Sequence, residues 1–306
     1  MAAIVNFFET KITPPKAWGA YHLCCLAVVA VLTAVIFACG RKLRADRGLS
    51  HKITCVAGGI LIFIELLKNL FYGLEVAADG SVYWDYPWQI FPFQFCSTPM
   101  YVCFVLMFTK QGKFREALNA FLATYGAFGG AVLLLHPNSV LVDFLFIDIH
   151  TMLWHGTLFL LGALQWGGGT FRFRLSSYLG ATAVFLVLVA VALTLNLSLK
   201  QLSLECGFNM FYISPYVPCT ILFMVEIWEV APYPVFLAAY VLGFALIALA
   251  IFYVIGSICR AIYGNFSYAC GVPFRRPRFH ISASRYRHRS FAVKGKRCEQ
   301  IYWRCQ

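Results

Sequence analysis

The sequence predicts an all-α, polytopic membrane helix bundle with seven transmembrane helices, the N-terminus outside and the C-terminus cytoplasmic. Three observations carry this expectation. Of 306 residues, 60% are hydrophobic and 12% are charged, and mean hydropathy is +0.72. A water-soluble domain is about 45–50% apolar and about 25% charged. Seven runs approach the ~20 apolar residues that cross a bilayer as a helix. The basic residues also alternate from loop to loop along the chain. Together these exclude an ordinary soluble enzyme and a disordered chain. The twelve cysteines do not mark a disulfide scaffold, because most of them lie inside apolar runs.

The first run, 20–39, is read as a retained span, since no short apolar core with a small-residue cleavage site is evident. The second, 53–71, contains Glu65 and Lys68. The third, 88–108, is rich in proline and glutamine, and Pro92 and Pro99 flank Cys96. Proline lacks the N–H that a helix needs, so this span is expected to be kinked or unwound there. The fourth, 117–135, is rich in glycine and alanine. The fifth, 140–164, carries Asp143, Asp148, His150 and His155. The sixth, 178–197, and the seventh, 234–258, are cleanly apolar. No repeat stands out, and 167–169 is a short glycine connector.

Loop charge orders these spans. Segments 40–52, 109–116 and 166–177, with the stretch after Cys259, hold 21 Lys and Arg, whereas the opposite loops hold only Lys11, Lys16 and Lys200. The positive-inside rule gives the stated orientation. Residues 1–258 are read as the transmembrane domain, and 259–306 as a basic, mobile cytoplasmic tail. That tail has eleven Lys and Arg against one acid, Glu299. Anionic lipid headgroups are its expected partner, at ~1 kcal/mol per basic residue near a charged leaflet. No recognition fold surrounds its arginines, so nucleic acid is not expected. In the outer stretch 198–233, Cys206 and Cys219 either pair in an oxidising compartment or stay reduced at the membrane edge.

Ionisable groups inside spans are functional candidates because burying them in lipid is costly. Glu65 and Lys68, three apart, share a helix face and read as a structural ion pair, or as part of an ion relay. Near Cys96, an opened helix frees backbone N–H groups that can stabilise an oxyanion, and Gln94, Ser97 and Thr98 add polar atoms. Asp148, Thr151 and His155 share one face of the fifth span; Asp143 and His150 form a second stripe. Gly156 lets another helix approach beside His155. Cys96 and His155 fall a few ångström apart in depth at ~1.5 Å per residue, so the two can meet. His150 and His155 are ~140° apart around their helix, which disfavours one shared ion. No zinc-type spacing occurs, and neither a metal nor another cofactor is expected.

Several segments resemble a known family. Gln94-Phe-Cys96-Ser97-Thr-Pro-Met resembles the "HLCS" element of YwaF-type integral membrane proteins, which are related to the transmembrane protein 164 acyltransferase. Residues 125–130 with His136-Pro137, 148–156 ending Trp154-His155-Gly156, 209–215, and 231–234 resemble its following segments. The likeness covers roughly 50–258. It departs from the pattern at Phe93-Gln94-Phe95, where relatives commonly have histidine or proline before the cysteine.

The resemblance implies an integral membrane enzyme, an acyltransferase or lipid hydrolase, with Cys96 as nucleophile and His155 as base. An acyl-thioester would form on Cys96 and pass to a lysophospholipid hydroxyl or to water. A phospholipid or lysophospholipid is then the substrate, and Asp148 would orient His155 through Thr151. The alternative is a non-enzymatic transporter or carrier with an intramembrane relay of Glu65, Lys68, Asp148 and His150. A receptor or sensor is a third class. A retinal protein is disfavoured, since the seventh run has no lysine for a Schiff base. The expected location is the cell membrane.

Overall fold

The computed structural model describes residue 8 and residues 10–264. Helices α1 (Ala20–Ala38), α2 (Gly40–Ala45) and α3 (Arg47–Gly73) come first, followed by the antiparallel hairpin β1 (Leu74–Val76) and β2 (Val82–Trp84), in register Leu74↔Trp84. An irregular stretch leads to α4 (Thr98–Phe108). Then come α5 (Lys113–Phe121) and α6 (Ala127–Leu135), joined without a break through a π-turn at Leu122–Gly126. The remaining helices are α7 (Leu145–Gly168), α8 (Leu175–Ser198), α9 (Lys200–Cys206), α10 (Met224–Val230) and α11 (Tyr233–Tyr263).

Among the described residues, six helices are long and apolar enough to cross a membrane: α1, α3, the α5–α6 rod, α7, α8 and α11. The chain is an integral, multi-pass membrane protein. Its outer faces agree with lipid as solvent. On α1, His22 is the only buried side chain, while Val28, Val31, Leu32 and Val35 are exposed. On α3, Val56, Phe63 and Leu66 face outward in the same way.

Three expectations need correction. The third run does not make a full-length span: its apolar helix is Phe95–Phe108, and 88–94 forms a 3₁₀ turn and irregular backbone. Proline at 92 cannot supply a helical N–H, and a helix turn at 91 would clash with its ring. The fifth run becomes helical only at Leu145, so Asp143 lies outside the helix and shares no stripe with His150. Its carboxylate instead faces Lys11 at 4.0 Å, while its carbonyl accepts the Ile12 N–H. The last helix runs on to Tyr263, and the basic tail from 265 onward lies outside the described residues.

The basic loops meet at one end of the bundle. Arg44 donates to the carbonyls of Trp166 and Gly167 at 2.8 and 3.0 Å and lies over the Tyr263 ring at 4.1 Å. The Tyr263 hydroxyl donates to the Phe37 carbonyl at 2.6 Å, and Arg172 pairs with Glu116 at 3.1 Å. Between the ends runs an aromatic core, with Tyr125 stacked between Phe121 at 5.5 Å and Phe185 at 4.6 Å. Phe244 stacks on Tyr240 at 4.4 Å.

Candidate functional site

Non-helical backbone survives at membrane depth only where protein or water covers its polar groups. Two such segments meet away from the basic end, 85–97 and 207–223. One glutamine joins them. The Gln94 amide N–H donates to the Asn209 carbonyl at 3.0 Å, and its Oε1 accepts the Phe211 N–H at 3.0 Å. This corrects the reading of Gln94 as a polar atom beside the cysteine: both ends of its amide clamp the opposite loop. Ser97, by contrast, does lie beside the Cys96 thiol.

The second segment is strained. Phe211 and Tyr212 both adopt left-handed backbone, φ 59° and 57°, which costs a non-glycine residue about 1–3 kcal/mol. Asn196 offsets this by exchanging two hydrogen bonds with Met210, at 2.8 and 2.9 Å. Asn209 adds a bond from the Ser214 N–H at 2.8 Å. Proline-rich spacing flagged the first segment; no sequence signal flagged the strain in the second.

Cys96 sits in a 3₁₀ turn, Phe95–Ser97, immediately before α4. Its carbonyl accepts the Trp154 indole N–H at 3.1 Å, which ties it to the residue next to His155 on α7. Helix α6 fits between the two. A Cβ at Gly129 would stand 3.8 Å from the Cys96 Cα, and one at Gly130 only 2.6 Å from the His155 carbonyl. Only glycine allows that second approach.

His155 is buried. Its Nδ1 lies 2.8 Å from the Thr151 carbonyl, which can only accept, so that nitrogen carries the proton. In the neutral ring Nε2 then keeps its lone pair, and it has no hydrogen-bond partner among the described residues. Thr151 thus holds His155 through its backbone. The Asp148 carboxylate turns the other way and accepts the Val142 N–H at 2.8 Å.

Glu65 and Lys68 form a buried pair at 2.5 Å, and α7 adds His150, with Nε2 3.6 Å from Glu65. Asn69 donates to Glu65 Oε1 at 3.1 Å and accepts the Tyr86 hydroxyl. His150 stacks on Trp154, centroids 5.4 Å apart. The charges of Lys68 and Glu65 reach Cys96, and Lys68 also reaches His155. The pair that reads from sequence as a packing device is therefore next to the site.

Sequence reasoning missed Tyr240. It is fully buried, its hydroxyl has no partner among the described residues, and it lies within electrostatic range of Cys96. Nothing in an apolar run marks one tyrosine as orphaned. Among the described residues no group of three His, Cys, Asp or Glu could hold a metal ion. Cys206 and Cys219 are both free, one exposed and one buried.

No curated protein and no solved structure matches the chain. A family model does, over residues 17–270, a range that takes in every span and all the residues of this site. By that match, spanning most of the chain, the protein belongs to the TMEM164 family.

Proposed function

We propose that the protein is a membrane-embedded lipid acyltransferase or lipid hydrolase acting through Cys96 and His155. The observation that carries this reading is the hydrogen bond from the Trp154 indole to the Cys96 carbonyl. It ties a cysteine in a non-helical turn to the neighbour of a buried histidine whose Nε2 is unpartnered. Buried polar groups are nearly always paired, so an unpaired imidazole nitrogen one residue along from that tie is suited to carry a transferable proton.

In this reading His155 Nε2 takes the Cys96 thiol proton, and the thiolate attacks the ester carbonyl of a phospholipid. The ester C–O bond breaks, His155 returns the proton to the departing lysolipid oxygen, and the acyl group stays on Cys96 as a thioester. An acceptor hydroxyl, from a lysophospholipid or water, then loses its proton to His155 and attacks the thioester. The proton finally returns to the Cys96 sulfur. Asp148 has no part in these steps.

The test uses a thiol-reactive lipid analogue on the purified chain, with lipid mass spectrometry of cells expressing wild type and variants. Labelling at Cys96 that disappears in His155→Ala, with a lipid change lost in Cys96→Ala, is the expected result. Identical lipid profiles for wild type and Cys96→Ala would overturn it. The buried Glu65–Lys68–His150 cluster favours a second reading, a proton-coupled carrier. Uptake that survives Cys96→Ala but not Glu65→Gln would select that one.

A further inference from the structure

The buried charged cluster has a geometric link to the cysteine that the proposed steps do not use. Glu65, His150 and Trp154 are all buried. His150 and Trp154 stand four apart on α7 and so share a face. Their rings lie 19° from parallel, with centroids 5.4 Å apart. From α3, Glu65 Oε2 stands 3.6 Å from His150 Nε2, and neither atom has a hydrogen-bond partner among the described residues. The Trp154 indole N–H in turn donates to the Cys96 carbonyl at 3.1 Å. One imidazole is thus set between a carboxylate and the indole that holds the cysteine.

The anchoring closes on itself. Tyr86 donates to Asn69, and Asn69 donates to Glu65 Oε1 at 3.1 Å, where Lys68 also pairs at 2.5 Å. Tyr86 and Cys96 both belong to the non-helical stretch 85–97. The path Tyr86, Asn69, Glu65, His150, Trp154, Cys96 therefore leaves that stretch, crosses α3 and α7, and returns to it. Backbone without a helical ladder takes its position from contacts outside itself. Gln94 ties the stretch to 207–223; this path ties it to α7, the helix that carries His155.

We propose that His150 is a positioning residue for Cys96. Braced by Glu65, its ring sets the Trp154 indole, and the indole fixes the turn that presents the thiol to His155. This rests on the Cys96–His155 reading and gives the buried cluster a part in it. Misplacing a reacting group by about 1 Å costs up to about a hundredfold in rate, and losing one hydrogen bond up to about tenfold.

The experiment follows labelling of Cys96 by the thiol-reactive lipid analogue in the full-length purified chain. The rate is measured against analogue concentration, well below each variant's unfolding midpoint, so that lost stability does not enter it. Trp154→Phe keeps a ring against His150 and loses the N–H to Cys96. His150→Phe keeps a ring against Trp154 and loses the nitrogen facing Glu65. Each is expected to lower the saturating rate about tenfold and to leave the half-saturating concentration unchanged. Because His150 acts through Trp154, the double variant should also be about tenfold slower rather than a hundredfold. Where one single variant does not fold, the other decides by the same two constants. Additive losses in the double variant, an unaltered saturating rate in either single one, or a change confined to the half-saturating concentration overturns the positioning role while wild-type labelling keeps the catalytic reading. A wild-type chain that takes no label at Cys96 removes both.

Discussion

At the scale of single residues, the site is defined by polar atoms that folding leaves unsatisfied. A buried hydroxyl without a partner costs about 1–3 kcal/mol, so such atoms persist only where something outweighs the loss. Tyr240 is the sharpest case, because its ring is well packed against Phe244 while its hydroxyl is alone. Replacing it with phenylalanine keeps the ring and removes the orphan. Tyr240→Phe is therefore expected to unfold at the same temperature as wild type or higher, yet to label more slowly at Cys96 with the lipid analogue. Thermal unfolding in detergent and labelling rates check the two halves. A loss of stability would mean that the hydroxyl has a structural partner.

Among elements, α6 decides how closely the cysteine turn and α7 approach. Gly130 lies where a Cβ would be 2.6 Å from the His155 carbonyl and 2.8 Å from the Phe159 nitrogen. Backbone cannot retreat as a flexible side chain can, so Gly130→Ala must separate α6 from α7. Overpacking of this kind costs about 1–3 kcal/mol. The expected outcome is a lower unfolding midpoint together with lost Cys96 labelling, measured on the same preparation. Gly59 is the control: a Cβ there meets nothing within 4 Å, so Gly59→Ala should leave both readouts unchanged.

For the whole molecule, the basic loops gather at one end, and the positive-inside rule predicts an orientation from that segregation. Cys39, which caps α1, belongs to that end, and Cys206, which closes α9, to the other; both are exposed. A membrane-impermeant maleimide applied to intact cells should label Cys206 and reach Cys39 only after permeabilisation. The reverse pattern would invert the orientation read from loop charge. The labels are assigned by peptide mass spectrometry, so the other cysteines need not be removed.

Composition was enough for the membrane class and for six of the seven expected spans, because burial in lipid is a one-dimensional constraint: a run either has enough apolar residues or it does not. Pro92 and Pro99 also announced the broken helix at Cys96, since the loss of an N–H is local chemistry. The length of that helix, the displacement of Asp143 from α7, the turning of Asp148 toward Val142 and the two-ended grip of Gln94 depended on partners more than five residues away. So did the joining of His150 to Glu65 and the isolation of the Tyr240 hydroxyl. Which polar atom finds a partner is settled by packing in three dimensions, and periodicity along one helix carries no record of what the neighbouring helix presents.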